Sequence, residues 1–358
     1  MRGMAKGAKI TFVIEDAAQH FASESQSEQE HWRSIVLFGR NVASYKFALA
    51  KSLLEIAKAG TGRVSLDELA VPFARHVCEH IAEMDRQGTF ARSKFLDACR
   101  FHNSGRISDD ELRAATVLFG FKNVIDAFHV VGNCDVPTRF FSDDRRSSGA
   151  IWLSQEMLDL ANQSVATDLS LETEARWRLV ETAWSAKAAG EQVGVLYDAP
   201  RELLVPALTG RRRPIAEVRP ALNGYQKGHC FYCFTPTSLT AEGLLPDVDH
   251  FFPHTLMSRG LPFNLDLPWN LVLACSTCNR GAAGKFATLP HERYLSRLHR
   301  RNEFLIGSNH PLKEALIDAT GANTQTRRTF LLAAMDFSQQ LASTNVGWTA
   351  VEEREPLF

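Results

Sequence analysis

Between Glu28 and Ala59 apolar residues recur so densely (Trp32, Ile35, Val36, Phe38, Val42, Tyr45, Phe47, Leu53, Leu54) that the pattern predicts one central helix, buried over most of its circumference. Ahead of it, Lys9–Ile14 is a short apolar run that fits an edge strand. Ser65 followed by Glu68, and Ser108 followed by Glu111, have the spacing of a capping box, in which each side chain satisfies the other residue's backbone N–H. Helices are expected after both, the first running through Val77 and Ile81. Two β-prone runs, Arg139–Phe141 and Ala150–Leu153, flank a polar turn and predict a hairpin. Ser154 is placed to cap a helix reaching Asn162, and Ser170 a longer one through Trp177 and Trp184 to Gly190.

Prolines, Gly210 and the Arg211–Arg213 triplet crowd into Tyr197–Pro214, the composition of an inter-domain connection. Beyond it the pattern gives a short helix over Ile215–Tyr225 closing at Lys227–Gly228, a basic helix over Glu292–Ile306 and a final helix over Thr324–Leu341. No internal repeat is present. The expected class is α+β, mainly α. A mostly helical domain of residues 1–200 precedes a linker of residues 201–214, a small module of residues 215–290 and a helical extension of residues 291–358.

Length and composition agree with two or three folded domains: 358 residues, 45% hydrophobic and 23% charged, with only the polar run Ser23–Glu30 reading as disordered. No apolar run has bilayer-spanning length and Met1–Ile10 lacks the apolar core of a secretion signal. A soluble cytoplasmic protein without a membrane partner is therefore expected. The formal net charge is only −1, but the distribution is uneven. Between Arg211 and Arg301 twelve Lys/Arg face six Asp/Glu, so that stretch carries +6 and the remainder −7.

Of seven cysteines, Cys78, Cys99 and Cys134 are scattered, whereas Cys230/Cys233 and Cys275/Cys278 form two Cys-x-x-Cys pairs 45 positions apart. A redox motif comes once. Two matched knuckles supply four thiolates, the closed tetrahedral shell of structural zinc, and would clamp both ends of the segment between them.

That segment holds the candidate chemistry: Asp247-Val248-Asp249-His250-Phe251-Phe252-Pro253, then Asn270 before an apolar run, then Asn279-Arg280-Gly281 directly after Cys278. A carboxylate offers oxygen to a hard cation such as Mg²⁺ or Mn²⁺, and a neutral imidazole accepts a proton from water near neutral pH. Over Ile215–Pro290 the order and spacing of these pieces resemble the HNH endonuclease family, in its zinc-stapled ββα-metal branch. The Asp-x-Asp-His-x-x-Pro run and the Asn-Arg-Gly ending look most like the HNH domain of RNA-guided CRISPR nucleases. The paired cysteines look more like free-standing bacterial HNH proteins of restriction and phage defence.

The resemblance implies that Asp249 and His250 end the first strand of a hairpin, with His250 as general base. It implies that Asp249 and Asn279 hold a catalytic Mg²⁺ or Mn²⁺, and that Asn270 braces the hairpin loop and orients the histidine. The histidine that the bacterial-toxin branch carries four residues after the last ligand is absent, that position being Ala283. Asp247 and His254 are accessory candidates. The implied activity is metal-dependent hydrolysis of DNA leaving 5′-phosphate ends, in a setting of bacterial defence. Arg280, Lys285, Arg293, Arg297 and Arg301 are the expected nucleic-acid contacts.

Two other readings stay open on the residues alone: a non-catalytic zinc-ribbon nucleic-acid binder, and an RNase or nicking toxin controlled by a partner. Residues 1–200 resemble no family and would suit a regulatory or targeting protein partner or self-association. The turn Phe38-Gly39-Arg40-Asn41 and Tyr45-Lys46 put polar groups into an otherwise buried stretch there.

Overall fold

Gly39 ends what the hydrophobic pattern joined. In the computed structural model the Glu28–Ala59 stretch is two helices, α1 (Glu28–Phe38) and α2 (Tyr45–Ala57), because Gly39 leaves the helix with extended backbone (φ −61°, ψ 145°). A Cβ there would stand 2.3 Å from Ile35 O, so only glycine allows this exit. The structure describes residues 21, 27–39, 42–90, 92–188, 195–206, 216–308, 313–342 and 347–358. The Lys9–Ile14 run, Arg40, Asn41 and the Arg211–Arg213 triplet lie outside them.

The chain is α+β and mainly helical, and it divides into two units: Ser25–Glu191, and Gln192–Phe358 with Met1–Glu24. In the first unit α1 and α2 are followed by β1 (Arg63–Ser65), α3 (Leu66–Glu83), α4 (Lys94–Asn103), α5 (Asp109–Ala115), β2 (Phe141–Asp144), β3 (Ala150–Leu153), α6 (Gln155–Asn162) and α7 (Val165–Ala188). Both capping boxes form as spaced, Ser65 with Glu68 and Ser108 with Glu111. The expected hairpin is antiparallel with Phe141 opposite Leu153, and β1 adds a third strand to it, Ser65 opposite Ala150. Ser154 accepts from Met157 N and caps α6. Ser170 caps nothing: the chain turns at Gln163, restarts at Val165, and Ser170 lies inside α7.

Tyr197–Pro214 departs further from expectation. Its described part holds the end of β4 (Val195–Asp198) and all of β5 (Leu203–Pro206), which with β6 (Ala216–Glu217) make an antiparallel sheet of the second unit. Pro200 sits in the tight connection and Pro206 at the strand end, while Pro214 lies outside the described residues. After β6 come α8 (Val218–Asn223), a 3₁₀ turn, and Lys227 and Gly228 at positive φ. Strands β7 (Asp247–His250) and β8 (Leu271–Ala274) pair antiparallel, followed at once by α9 (Ser276–Arg280) and then α10 (Leu295–Gly307), α11 (Lys313–Thr320) and α12 (Thr324–Leu341). The buried Gln226 side chain completes the free edge of β8, donating to Leu273 O and accepting from Leu273 N. No helix of the described residues is long and apolar enough to cross a membrane.

Candidate functional site

The two knuckles meet. Sγ atoms of Cys230, Cys233, Cys275 and Cys278 all lie within 4.8 Å of one another, and Cys233 Sγ is 3.7 Å from Cys275 Sγ. Thiolates about 2.3 Å from a tetrahedral zinc stand roughly 3.8 Å apart, so the cluster fits a metal ion such as zinc. Three of the four are buried, and none forms a disulfide. Crowding splits their acidity. Hydrogen bonds from neighbouring thiols push Cys233 down and Cys275 to about 7, while the same neighbours raise Cys230 and Cys278. Four sulfurs crowded this closely suit a cation at their centre, which would take the place of their protons.

The knuckle reaches the hairpin by two routes. Phe231 N donates to Leu273 O at 2.8 Å, and the Tyr232 hydroxyl donates to Asp249 Oδ2 at 2.6 Å. Burial, then the Asp249 carboxylate, hold the Tyr232 phenol well above its ordinary pKa, so it stays a donor.

Strand pairing sets Ala274 opposite Asp247, Val272 opposite Asp249 and Leu271 opposite His250. Side chains alternate along β7, so Asp247 and Asp249 share one face and His250 takes the other. On the first face Asp249 is buried, with Lys285 Nζ 3.0 Å from Oδ1 in addition to Tyr232 on Oδ2. Asn279 does not join it. Its amide donates to Asp247 Oδ2 at 3.1 Å, the oxygen that also accepts from Arg280 Nε at 2.8 Å. The Asn279 amide thus turns to Asp247, and among the described residues no hydrogen bond joins it to Asp249. Among the described residues the four cysteines are the only cluster of three or more His, Cys, Asp or Glu able to hold an ion.

On the other face His250 Nε2 is 3.0 Å from Asp266 Oδ1, and Nδ1 has no partner among the described residues. Burial lowers the His250 pKa and outweighs the raising effect of Asp266, so the ring is neutral near pH 7. Strand β4 fixes this partner: Tyr197 N donates to Asp266 O at 3.0 Å, and the Tyr197 ring lies 5.7 Å from that of His250. His254 is the other neighbour, 3.7 Å from Asp266 Oδ1. Fully buried Asn270 accepts from Phe252 N (2.8 Å) and donates to Phe252 O and Leu265 O (both 3.0 Å), tying the two ends of the inter-strand loop.

Three of the five expected nucleic-acid contacts need correction. Lys285 and Arg301 are 0% exposed, so neither meets a phosphate. Arg297, 13% exposed, donates to Phe231 O (2.6 Å) and Tyr232 O (2.7 Å) and stacks on Phe234, bracing the knuckle. Arg293 is exposed but pairs with Glu353. Arg280, 66% exposed, is the freest of the set.

Sequence reasoning missed Tyr232, Asp266 and Tyr197. Tyr232 was signalled only by lying inside a knuckle; Asp266 lies sixteen positions from its histidine in the inter-strand loop, where nothing local marks it. No protein-family model, no curated protein and no solved structure matches the chain.

Proposed function

We propose that the second unit hydrolyses phosphodiester bonds in nucleic acid, DNA foremost, as an HNH-type endonuclease with His250 as general base. The observation that carries this is the state of His250. It ends a strand, is 15% exposed, is held at Nε2 by Asp266, is neutral through burial, and has Nδ1 free among the described residues to take a proton from water. The strand–strand–helix order of β7, β8 and α9, with one cysteine knuckle before β7 and the other at the start of α9, supports the same reading.

In this reading Asp266 fixes the imidazole tautomer and stabilises the imidazolium formed when water is deprotonated. Asn270 keeps the loop that carries Asp266 closed on the strand end. Arg280 meets the phosphate backbone, an interaction that gives affinity without sequence information. The four cysteines would hold zinc, which supplies rigidity and no chemistry. A divalent cation would neutralise charge on the scissile phosphate, but both Asp249 oxygens and the Asn279 amide are engaged by other groups, and no step runs through it.

A second reading, a zinc-clamped nucleic-acid binder without catalysis, is favoured by the two partners that close Asp249. Incubation of the purified chain with plasmid DNA and with RNA, with Mg²⁺, Mn²⁺ or chelator, separates them. Cleavage that His250→Ala abolishes supports the nuclease. Binding without cleavage under all conditions supports the binder.

A further inference from the structure

Lys285 sits where a cation would sit. Its Nζ lies 3.0 Å from Asp249 Oδ1, 2.8 Å from His250 O and 3.4 Å from Phe286 O, in a side chain 0% exposed. One carboxylate and two carbonyl oxygens around a point charge are the donor types that hard cations select. The loop after α9 is built to deliver this lysine. Lys285 N donates to Cys278 O at 2.7 Å and Phe286 N to Asn279 O at 2.8 Å, so the chain doubles back along the helix that a knuckle cysteine anchors. Gly284 makes the return possible: a Cβ there would stand 2.8 Å from Gly281 N and 2.9 Å from Asn279 O.

We propose that Lys285 is the resident cation of Asp249: the ammonium fills the position between Asp249, the His250 carbonyl and the Phe286 carbonyl, and a divalent ion binds there only when Lys285 is removed. The nuclease reading enters only through the expectation that Asp249 meets a cation. Three features make the occupation stable. The other Asp249 oxygen is engaged by Tyr232, at 2.6 Å. The ammonium has three oxygen acceptors for its three protons. Both charges are buried, so the loss of either leaves the other uncompensated. Asp249 without Lys285 is then a buried carboxylate beside two carbonyls, a site that would attract a hard divalent ion.

The test uses the full zinc-loaded chain with Mn²⁺ as probe, since Mn²⁺ prefers oxygen ligands and leaves the thiolates alone. The melting temperature of the parent should not move in millimolar Mn²⁺. K285M should melt about 10 °C lower without Mn²⁺ and recover by about 5 °C with it. K285M/D249N should show no such recovery. A parent whose melting rises with Mn²⁺, in a response that D249N removes, overturns the proposal, and so does a folded K285M that gains nothing. Should K285M not fold, paramagnetic-resonance counting of bound Mn²⁺ in the parent and in D249N decides: no ion lost on substitution upholds the proposal, and one ion lost overturns it. Cleavage is scored separately on the parent. A chain that cuts neither DNA nor RNA sinks the nuclease reading and leaves the Mn²⁺ result standing.

Discussion

The Tyr232 hydroxyl donates to Asp249 at 2.6 Å, and with the bond from Phe231 N to Leu273 O it joins the cysteine cluster to the hairpin. Tyr232 lies between Cys230 and Cys233, so a metal that fixes the knuckle also fixes the phenol. From Asp249 the connection continues through Lys285 to the carbonyl of His250, whose side chain faces the opposite way. Arg297 closes the unit from outside by binding the Phe231 and Tyr232 carbonyls. The cluster, the carboxylate and the histidine thus form one connected body, and loosening the knuckle should be felt at the strand end.

Zinc and Tyr232 can be separated. One tightly held zinc per chain is expected, with apparent binding of ~10–16 kcal/mol in sites of this kind. Cys275→Ser should lose zinc and thermal stability together. Tyr232→Phe should keep its zinc and lose about 1.5–3 kcal/mol, the range for a hydrogen bond to a charged group. Metal analysis alongside denaturant unfolding checks both; a Tyr232→Phe chain that sheds zinc would show that the phenol serves the cluster and not Asp249.

The buried arginine makes an unusual prediction. Burial pushes the Arg301 guanidinium down to about 9, Nε and Nη1 have no partner among the described residues, and the acceptor of Nη2, Trp269 O, also accepts from Asn302 at 3.1 Å. Arg301→Met should therefore stabilise the second unit, by about 1–3 kcal/mol, the cost of an unmet buried donor. Arg297→Ala should destabilise it, because two carbonyl bonds and the stack on Phe234 are lost. Neither should flatten the salt dependence of DNA binding, whereas Arg280→Ala should. Melting curves and a salt series on the three variants decide.

These arginines also show where sequence reading ran out. Counting charge identified α10 as basic, and helical geometry put residues 293, 297, 300 and 301 near one another. Arg301 is nevertheless three residues after Leu298 and four before Leu305, so it shares their buried stripe. Charge counts carry no information on burial. What was legible was local or rigidly spaced: the capping boxes at Ser65 and Ser108, α12 with the bounds expected, and the doubled Cys-x-x-Cys spacing that brings four sulfurs together. The strands β4 and β5 were not, because pairing with β6 is a tertiary fact, and the break at Gly39 was not, because the apolar pattern runs on past the glycine that ends the helix. Asp249 was read as open to metal because nothing in Asp-Val-Asp-His announces a lysine 36 positions on.

The helical unit should be pH-sensitive through His80. Its ring stacks on Trp177 at 3.6 Å, with Nδ1 2.9 Å from Glu181 and Nε2 3.2 Å from Glu174. Burial works against the charged ring, but the hydrogen bonds to Glu174 and Glu181 prevail and raise its pKa. A raised folded pKa gives stability that is complete below the unfolded value, ~6.5, and is lost as pH rises through the folded one. Glu174 acts in the opposite sense: burial would raise it, but His80 and Lys51 hold it well below the usual carboxylate range, so its contribution fades in acid. Unfolding free energy of the isolated unit's transition should fall from pH 6.5 upward, and His80→Gln should flatten that slope. An unchanged slope would mean that His80 is neutral in the fold.

The sharpest expectation concerns His250 and Asp266. His250→Ala removes the proton acceptor and nothing that holds the unit together, since the ring's one hydrogen bond is to Asp266 and the Asn270 bracing is independent of it. Cleavage should drop by ~10²–10⁴, with zinc content, melting temperature and DNA affinity near parental values. Asp266→Asn keeps size and a polar group but removes the charge that steadies the imidazolium, so a smaller rate loss is expected with binding unchanged. Asn270→Ala should behave unlike either. Three buried hydrogen bonds are lost at once, Phe252 N and the carbonyls of Phe252 and Leu265 go unmet, and stability should fall with activity. Single-turnover cleavage of plasmid DNA, with melting curves and zinc content on each variant, separates the three patterns. A His250→Ala chain that cuts at the parental rate would remove His250 from the reaction, and the assignment of the general base would fall with it.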